Sequence, residues 1–222
     1  MVIAIDGPSG SGKSTVARRV AEKLGLRYLD TGAMYRAVTW WLLEQGVDLA
    51  DRDRVAERTA QVPLVMGMDP KNPNVRVGEV DVTKVIRESR ISTAVSAVAT
   101  NLGVRAELVA RQQEIARAGG VVIEGRDITT VVAPDAPVRV LLTASEQARL
   151  ARRALELHGS DDAAAVEATR DQVVRRDADD STVARFTEAA DGVDVVDSSD
   201  LTLDETVDAV LAVVERRTGA RT

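Results

Sequence analysis

The chain of 222 residues contains no cysteine and a single histidine, His158. That removes disulfide scaffolds, thiolate nucleophiles and every metal site built from several Cys or His side chains. Aromatic residues make up only 2%, so stacking platforms for single-stranded nucleic acid are scarce and the core must be built from Ala, Val, Leu and Ile. No apolar run approaches the roughly 20 residues of a membrane span, and no basic region precedes the apolar start, so neither a span nor a signal peptide is expected. Positive charge is also in short supply. The formal net charge is −6, which repels a polyphosphate backbone at long range and disfavours a general nucleic-acid binder. What is present, 45% hydrophobic and 29% charged residues, is globular composition, and the length fits one domain or one domain carrying an insert.

Apolar residues 2–6 form a short strand ending at Gly7, and residues 14–24 then carry Val16, Val20 and Leu24 at helical spacing before Gly25. Tyr28 and Leu29 predict a second strand, residues 33–45 a helix closed by Gly46, and residues 52–61 another helix. Residues 121–124, 138–142 and 193–197 read as continuous buried strands. Two capping boxes, Thr143 with Glu146 and Thr202 with Glu205, predict helices over 146–157 and 203–216. The repeated strand–helix order predicts an α/β fold with a parallel sheet flanked by helices on both faces. One stretch breaks the pattern: residues 63–82 hold short runs separated by Gly67, Pro70, Asn72, Pro73 and Gly78, which suggests small antiparallel strands. Residues 63–99 are therefore expected to be an insert packed on the main sheet, and the alanine-rich stretch 161–168 is of low complexity.

Gly7-Pro8-Ser9-Gly10-Ser11-Gly12-Lys13-Ser14 matches G-x-x-x-x-G-K-[ST] between the first strand and the first helix, the context that the motif requires. Glycines let successive backbone N–H groups converge on an anion, and the helix N-terminus adds its partial positive charge. Lys13 would reach the β and γ phosphates, and the Ser14 hydroxyl would ligate a Mg2+ ion bridging them. A nucleoside triphosphate site is expected over these residues and Thr15. The loop does not name a reaction, because switches, motors and kinases share it. No aspartate-headed strand of the motor type is evident, since the later strands run into Glu124-Gly125-Arg126-Asp127 and into Thr143. Asp30-Thr31-Gly32-Ala33-Met34-Tyr35-Arg36 opens a helix and can direct Thr31, Tyr35 and Arg36 toward the loop, with Thr31 and Tyr35 on one face. Gly125-Arg126-Asp127 follows a buried strand at the carboxyl end, where open α/β sheets place ligands.

With these segments in view the sequence resembles the bacterial-type cytidylate kinases, P-loop kinases of nucleoside monophosphates. The resemblance is carried by Ile5-Asp6-Gly7-Pro8-Ser9-Gly10, by the Asp30 to Arg36 run, by Gly125-Arg126-Asp127 with Thr130-Val131-Val132 and Pro134-Asp135-Ala136-Pro137, and by Arg175-Arg176-Asp177 before Asp180-Ser181. It implies a five-stranded parallel sheet, an acceptor-nucleotide-binding insert at 63–99 and a lid at 146–185. It implies transfer of the γ-phosphoryl group of ATP to CMP or dCMP with Mg2+, in pyrimidine metabolism, by a cytoplasmic monomer that binds neither nucleic acid nor membrane. By position, Ser96, Arg105 and Asp127 would read the cytosine, while Tyr35, Arg176 and Asp180 would hold the ribose. Arg36 and Arg126 would clamp the acceptor phosphate beside Thr31, and Arg149, Arg152 and Arg153 would cover the ATP phosphates. A carboxylate accepts from the amino group that cytosine has and uracil lacks, and bidentate guanidinium suits phosphate oxygens. The chain departs from the family pattern after Asp180: Val183 stands where a third clamping arginine is expected, which leaves Arg185 as a substitute. His158 is expected to be solvated, since phosphoryl transfer needs no such base. A kinase for another small acceptor and a slow nucleotide switch remain the alternatives.

Overall fold

The computed structural model describes residues 1–219, apart from the side chains at 171 and 172. Five parallel strands form the central sheet in the order β2-β6-β1-β7-β8: β1 (Val2–Asp6), β2 (Arg27–Asp30), β6 (Val121–Gly125), β7 (Val138–Thr143) and β8 (Asp194–Asp197). β1 lies at the centre, with Ile3 opposite Val122 and Val138. Side chains alternate across the sheet, so each central strand feeds two cores, which is why these runs are apolar throughout. Ile3, Ile5, Val122, Val138, Val140 and Leu142 pack on one face with Val16 and Val20 of α1 (Lys13–Leu24) and with Val207, Val210 and Val214 of α8 (Leu203–Thr218). Ala4 and Ile123 face the other way, toward Ala33, Met34 and Val38 of α2 (Thr31–Glu44) and Val104 and Leu108 of α5 (Leu102–Ala118). Each fully buried Val, Leu or Ile is worth about 1.5–3 kcal/mol of transfer free energy, so aliphatic residues carry both cores, with Tyr28 in one and Tyr35 in the other.

Three antiparallel strands interrupt this order after α3 (Arg52–Thr59): β3 (Leu64–Gly67), β4 (Asn74–Val77) and β5 (Val80–Asp81). They attach to the edge of the main sheet, where the Tyr28 amide donates to Met68 O at 2.9 Å. The chain then enters α4 (Ser89–Ala99) and α5, neither of which the periodicity had suggested. The alanine-rich stretch is also helical: it opens α7 (Ala163–Ser181), capped by Asp162, which accepts from the amides of Ala164 and Ala165 at 3.0 and 2.9 Å.

Of the two expected capping boxes, Thr202–Glu205 is present on α8. Thr143–Glu146 is not. Thr143 is still part of β7, paired with Asp197, and its carbonyl accepts from the Ser198 amide. α6 (Glu146–His158) is capped instead by Ser145, and Glu146 pairs with Arg170. Strand pairing thus claims the residue that local spacing had assigned to the cap.

At the carboxyl end of β1, Asp6 accepts from the amides of Ile128 and Thr129, both at 2.8 Å, and from the Thr129 hydroxyl at 2.6 Å. It thereby fixes the single π turn Ile128–Val132 that follows Arg126 and Asp127. Burial nevertheless pushes the Asp6 pKa up to about 6 from its ordinary 3.8. The folded state therefore holds this proton where the unfolded chain has lost it. The contribution of Asp6 to stability is full below about pH 4 and falls as pH rises through about 6. Relative to Asp6→Asn, wild-type unfolding free energy from urea denaturation is expected to fall by roughly 3 kcal/mol between about pH 4 and pH 7. A difference that does not change with pH would mean that Asp6 titrates normally.

Candidate active site

A cavity of about 790 Å³ opens at the carboxyl ends of β1, β2 and β6. The loop between β1 and α1 forms one wall. A Cβ on Gly7 would stand 2.3 Å from Leu142 O of β7, so only glycine lets the loop leave the sheet here. Gly10 has φ +77° and lies against the Arg149 backbone, where a Cβ would meet the carbonyl oxygen at 2.5 Å. Lys13 donates to Pro8 O at 3.3 Å within the loop. Burial, and next to it the positive charge of Arg126, pulls the Lys13 pKa down to about 8. Ser9, Gly10, Gly12, Lys13, Ser14 and Thr15 line the cavity, and Gly7, Pro8 and Ser11 complete the loop without lining it.

The Ser14 hydroxyl donates to Glu124 Oε1 at 2.6 Å. Glu124 is the penultimate residue of β6, the neighbour of β1, and is buried; burial first, and then the charge of Asp30, raises its pKa to about 7. A carboxylate therefore does stand at the end of a strand beside the phosphate loop, although no aspartate-headed strand is evident in the sequence: the residue is glutamate, and only the strand order brings it to Ser14. Asp30 caps α2 by accepting from the Ala33 amide at 2.7 Å, so the helix begins one residue after it, at Thr31. Thr31 turns its hydroxyl to Glu124 O at 2.8 Å. Burial works to raise the Asp30 pKa, but Arg36 at 3.2 Å and Arg87 at 3.7 Å outweigh it and hold the carboxyl below the ordinary range.

Across the cavity Arg105 of α5 pairs with Asp127, which follows β6. Burial raises the Asp127 pKa and Arg105 opposes it. Tyr35 is buried, and burial pushes its pKa up to about 12. Asp180 of α7 meets Arg126 at 3.0 Å and Arg176 at 3.8 Å. Burial, and then Arg126, lowers the Arg176 pKa to about 10. The Nε atoms of Arg36 and Arg176 are also buried without a hydrogen bond, the Arg176 Nε having only the 3.8 Å ion pair with Asp180. In an acidic chain, Lys13, Arg36, Arg87, Arg105, Arg126, Arg153 and Arg176 share one concavity. Clustered cations with unmet donors are suited to an anionic ligand with several oxygens.

Comparison with known proteins agrees with that chemistry. The family model described as Cytidylate kinase matches residues 3–216. The chain belongs to the cytidylate kinase family. A cytidylate kinase of Cutibacterium acnes is 51% identical over 216 residues, covering 96% of this chain and 96% of that protein. One of Rhodococcus opacus is 48% identical, covering 99% and 96%, and one of Streptomyces griseus is 45% identical, covering 97% and 93%.

Of the site residues that the family resemblance suggested, Thr31, Tyr35, Arg36, Arg105, Arg126, Asp127, Arg153, Arg176 and Asp180 are brought to the cavity together with the loop. Ser96 is not. α4 lines the cavity with Ser92, Val95 and Ala99, whereas Ser96, although it follows Ser92 by four residues on the same side of the helix, is half-buried and does not line it. Of the three early arginines of α6, only Arg153 lines the cavity. Arg149 reaches Ser9 O, and Arg152 donates to Ser198 O at 2.5 Å. Val183 lines the cavity, whereas Arg185 is exposed outside it. Arg185→Ala is accordingly expected to leave kcat within about twofold of wild type, since an exposed side chain away from the site rarely matters. A larger loss in steady-state assays would mean that the backbone shifts to admit it. His158 ends α6 and is exposed, as a solvated residue should be. Glu124, Asp30, Arg87 and Asp177 were missed; the run Glu124-Gly125-Arg126 after an apolar strand was the available signal for the first.

Proposed function

We propose that this chain transfers the γ-phosphoryl group of ATP to CMP or dCMP, giving ADP and CDP or dCDP, as a cytoplasmic monomer that binds neither nucleic acid nor membrane. The observation that carries the reading is the juxtaposition, in one cavity of a cytidylate kinase family member, of a phosphate loop with an arginine set and a carboxylate–arginine pair. The loop amides and Lys13 hold the donor phosphates, and Arg36 and Arg126 hold the acceptor phosphate in line with them. An oxygen of the acceptor phosphate bonds to the γ phosphorus while the bond to the β–γ bridging oxygen breaks, and ADP leaves with that electron pair. The attacking oxygen is already ionised at neutral pH, so positioning and charge neutralisation suffice without a base.

Asp127 accepts from the cytosine amino group, with Arg105 fixing its carboxylate. Tyr35, Arg176 and Asp180 take the ribose. Residues 63–99 form the acceptor-nucleotide-binding insert, and 146–185 the lid that brings Arg153 over the ATP phosphates.

Among the described residues no group of three or more His, Cys, Asp or Glu could hold a metal on its own. The donors beside the loop are oxygens: Ser14 gives its proton to Glu124, which leaves its lone pairs open, and Glu124 is an anion once deprotonated. That set fits a Mg2+ ion that arrives with ATP, the hard cation that prefers oxygen and brings phosphates as ligands. Bound there, the ion would neutralise charge on the β and γ oxygens. Among the described residues no helix is long and apolar enough to cross a membrane.

Coupled ADP release with CMP, dCMP, UMP, AMP and GMP tests the reading. Turnover with CMP and dCMP well above the others is expected. ADP release that none of them stimulates would favour a nucleotide switch instead.

A further inference from the structure

Asp177 lies near the end of α7, and its side chain is only 13% exposed. Three elements converge on its carboxylate. The Ser9 amide of the phosphate loop donates to Oδ1 at 3.0 Å. Arg126, just after β6, brings Nη1 to 2.9 Å from the same oxygen. Arg149 of α6 brings Nη1 to 2.5 Å from Oδ2 and with the same nitrogen donates to Ser9 O at 2.8 Å. The remaining terminal nitrogen of Arg126 meets Asp180, and its guanidinium carbon lies 4.2 Å from the centre of the Phe186 ring. Arg126 is thus held on both terminal nitrogens and on one face. Nη1 also donates to Gly7 O at 3.3 Å, a neutral contact with the start of the phosphate loop, and Asp177 is the anion that grips both Arg126 and that loop.

That coupling matters because a clamp is useful only when it stands in a fixed relation to the group being transferred, and a small misplacement costs rate steeply. Arg126 is a long, flexible side chain, and Ser9 sits in a loop. The neutral hydrogen bond from Arg126 to Gly7 O, at 3.3 Å, is a weak tie between them. A carboxylate that is ion-paired to one and hydrogen-bonded to the other fixes the distance between them, with charge-assisted bonds that a neutral side chain cannot match. Asp180 cannot substitute, since its partners are arginines rather than the loop.

We propose that Asp177 is a positioning residue, whose carboxylate ties Arg126 to the phosphate loop so that the guanidinium meets the transferring phosphoryl group already aimed. This rests on the assignment of Arg126 as a phosphate clamp under the proposed function. Asp177 acts through its partners, so its loss should appear in kcat more than in KM for CMP, and should matter little once Arg126 is gone.

Four proteins test this by coupled ADP release at saturating ATP, with folding checked by circular dichroism: wild type, Asp177→Asn, Arg126→Ala and the double variant. Asp177→Asn is expected to lower kcat about fivefold or more while KM for CMP moves less than twofold. In the Arg126→Ala background the same change is expected to cost less than twofold. Retained kcat in Asp177→Asn, or losses that multiply in the double variant, would overturn the proposal. Should Asp177→Asn fail to fold, Asp177→Glu replaces it: the charge is kept but reaches one methylene further, and the same non-additivity with Arg126→Ala is required. A wild type with no CMP-stimulated ADP release would instead sink the functional reading, and an unimpaired Arg126→Ala would sink the clamp assignment.

Discussion

Lys13→Ala is expected to lower kcat by ~10²-fold or more while CMP affinity stays within about twofold of wild type. Lys13 belongs to the donor side of the cavity: it follows Gly12, opens α1 and donates to the Pro8 carbonyl within the same loop. The acceptor base is assigned to the opposite wall, at Arg105 and Asp127. The ammonium is buried beside Arg126 and held below its ordinary pKa, so the protein alone opposes the charge. An approaching triphosphate supplies the missing anions, and the cation then stabilises the charge that builds on the transferring group. Steady-state rates at saturating ATP and CMP titration by calorimetry separate the two effects. Normal turnover in the variant would overturn the phosphate-loop assignment.

Asp127→Asn should change which acceptor is chosen. The carboxylate offers only acceptors, which suits the amino group of cytosine and opposes the carbonyl that uracil presents at that position. A site built around a specific polar partner rejects an analogue lacking it far better than an apolar pocket does. The amide can donate as well as accept, so the preference for CMP over UMP in kcat/KM should shrink by roughly tenfold or more, or ~1.4 kcal/mol. The substitution also removes the anionic partner of Arg105, which lowers activity toward both acceptors. The ratio of the two acceptors, measured in both proteins at saturating ATP, is insensitive to that common loss. An unchanged ratio with lower overall activity would make Asp127 a structural partner of Arg105 and remove its role in reading the base.

What the sequence determined by itself are the features that local chemistry controls. Alternating apolar and turn residues specify β1, α1, β6 and β7 to within a residue or two, because each run must bury a continuous surface. The phosphate loop was legible for the same reason: its glycines, Lys13 and Ser14 are contiguous, and the strand and helix beside them leave one geometry open. The small antiparallel strands β3, β4 and β5 were legible from the turn residues of 63–82, which break up the helical and parallel pattern. α5 was not, since its buried face consists of Val104, Leu108, Gln112 and Ala116 among charged neighbours and gives little periodic contrast.

Tertiary structure alone decided the polar contacts at the site. Glu124 is 110 positions from Ser14, and Asp177 is 168 from Ser9. No spacing rule reaches across such separations, and both pairs exist because β6 lies beside β1 and α7 passes over the loop. That Ser92 lines the cavity and Ser96, one turn further along the same side of α4, does not is likewise a matter of packing and not of helical spacing. The Thr143 cap was lost because its strand extends to meet β8. Local propensity sets which elements form. Packing and desolvation, which act between elements, set which of their polar side chains meet in the cavity.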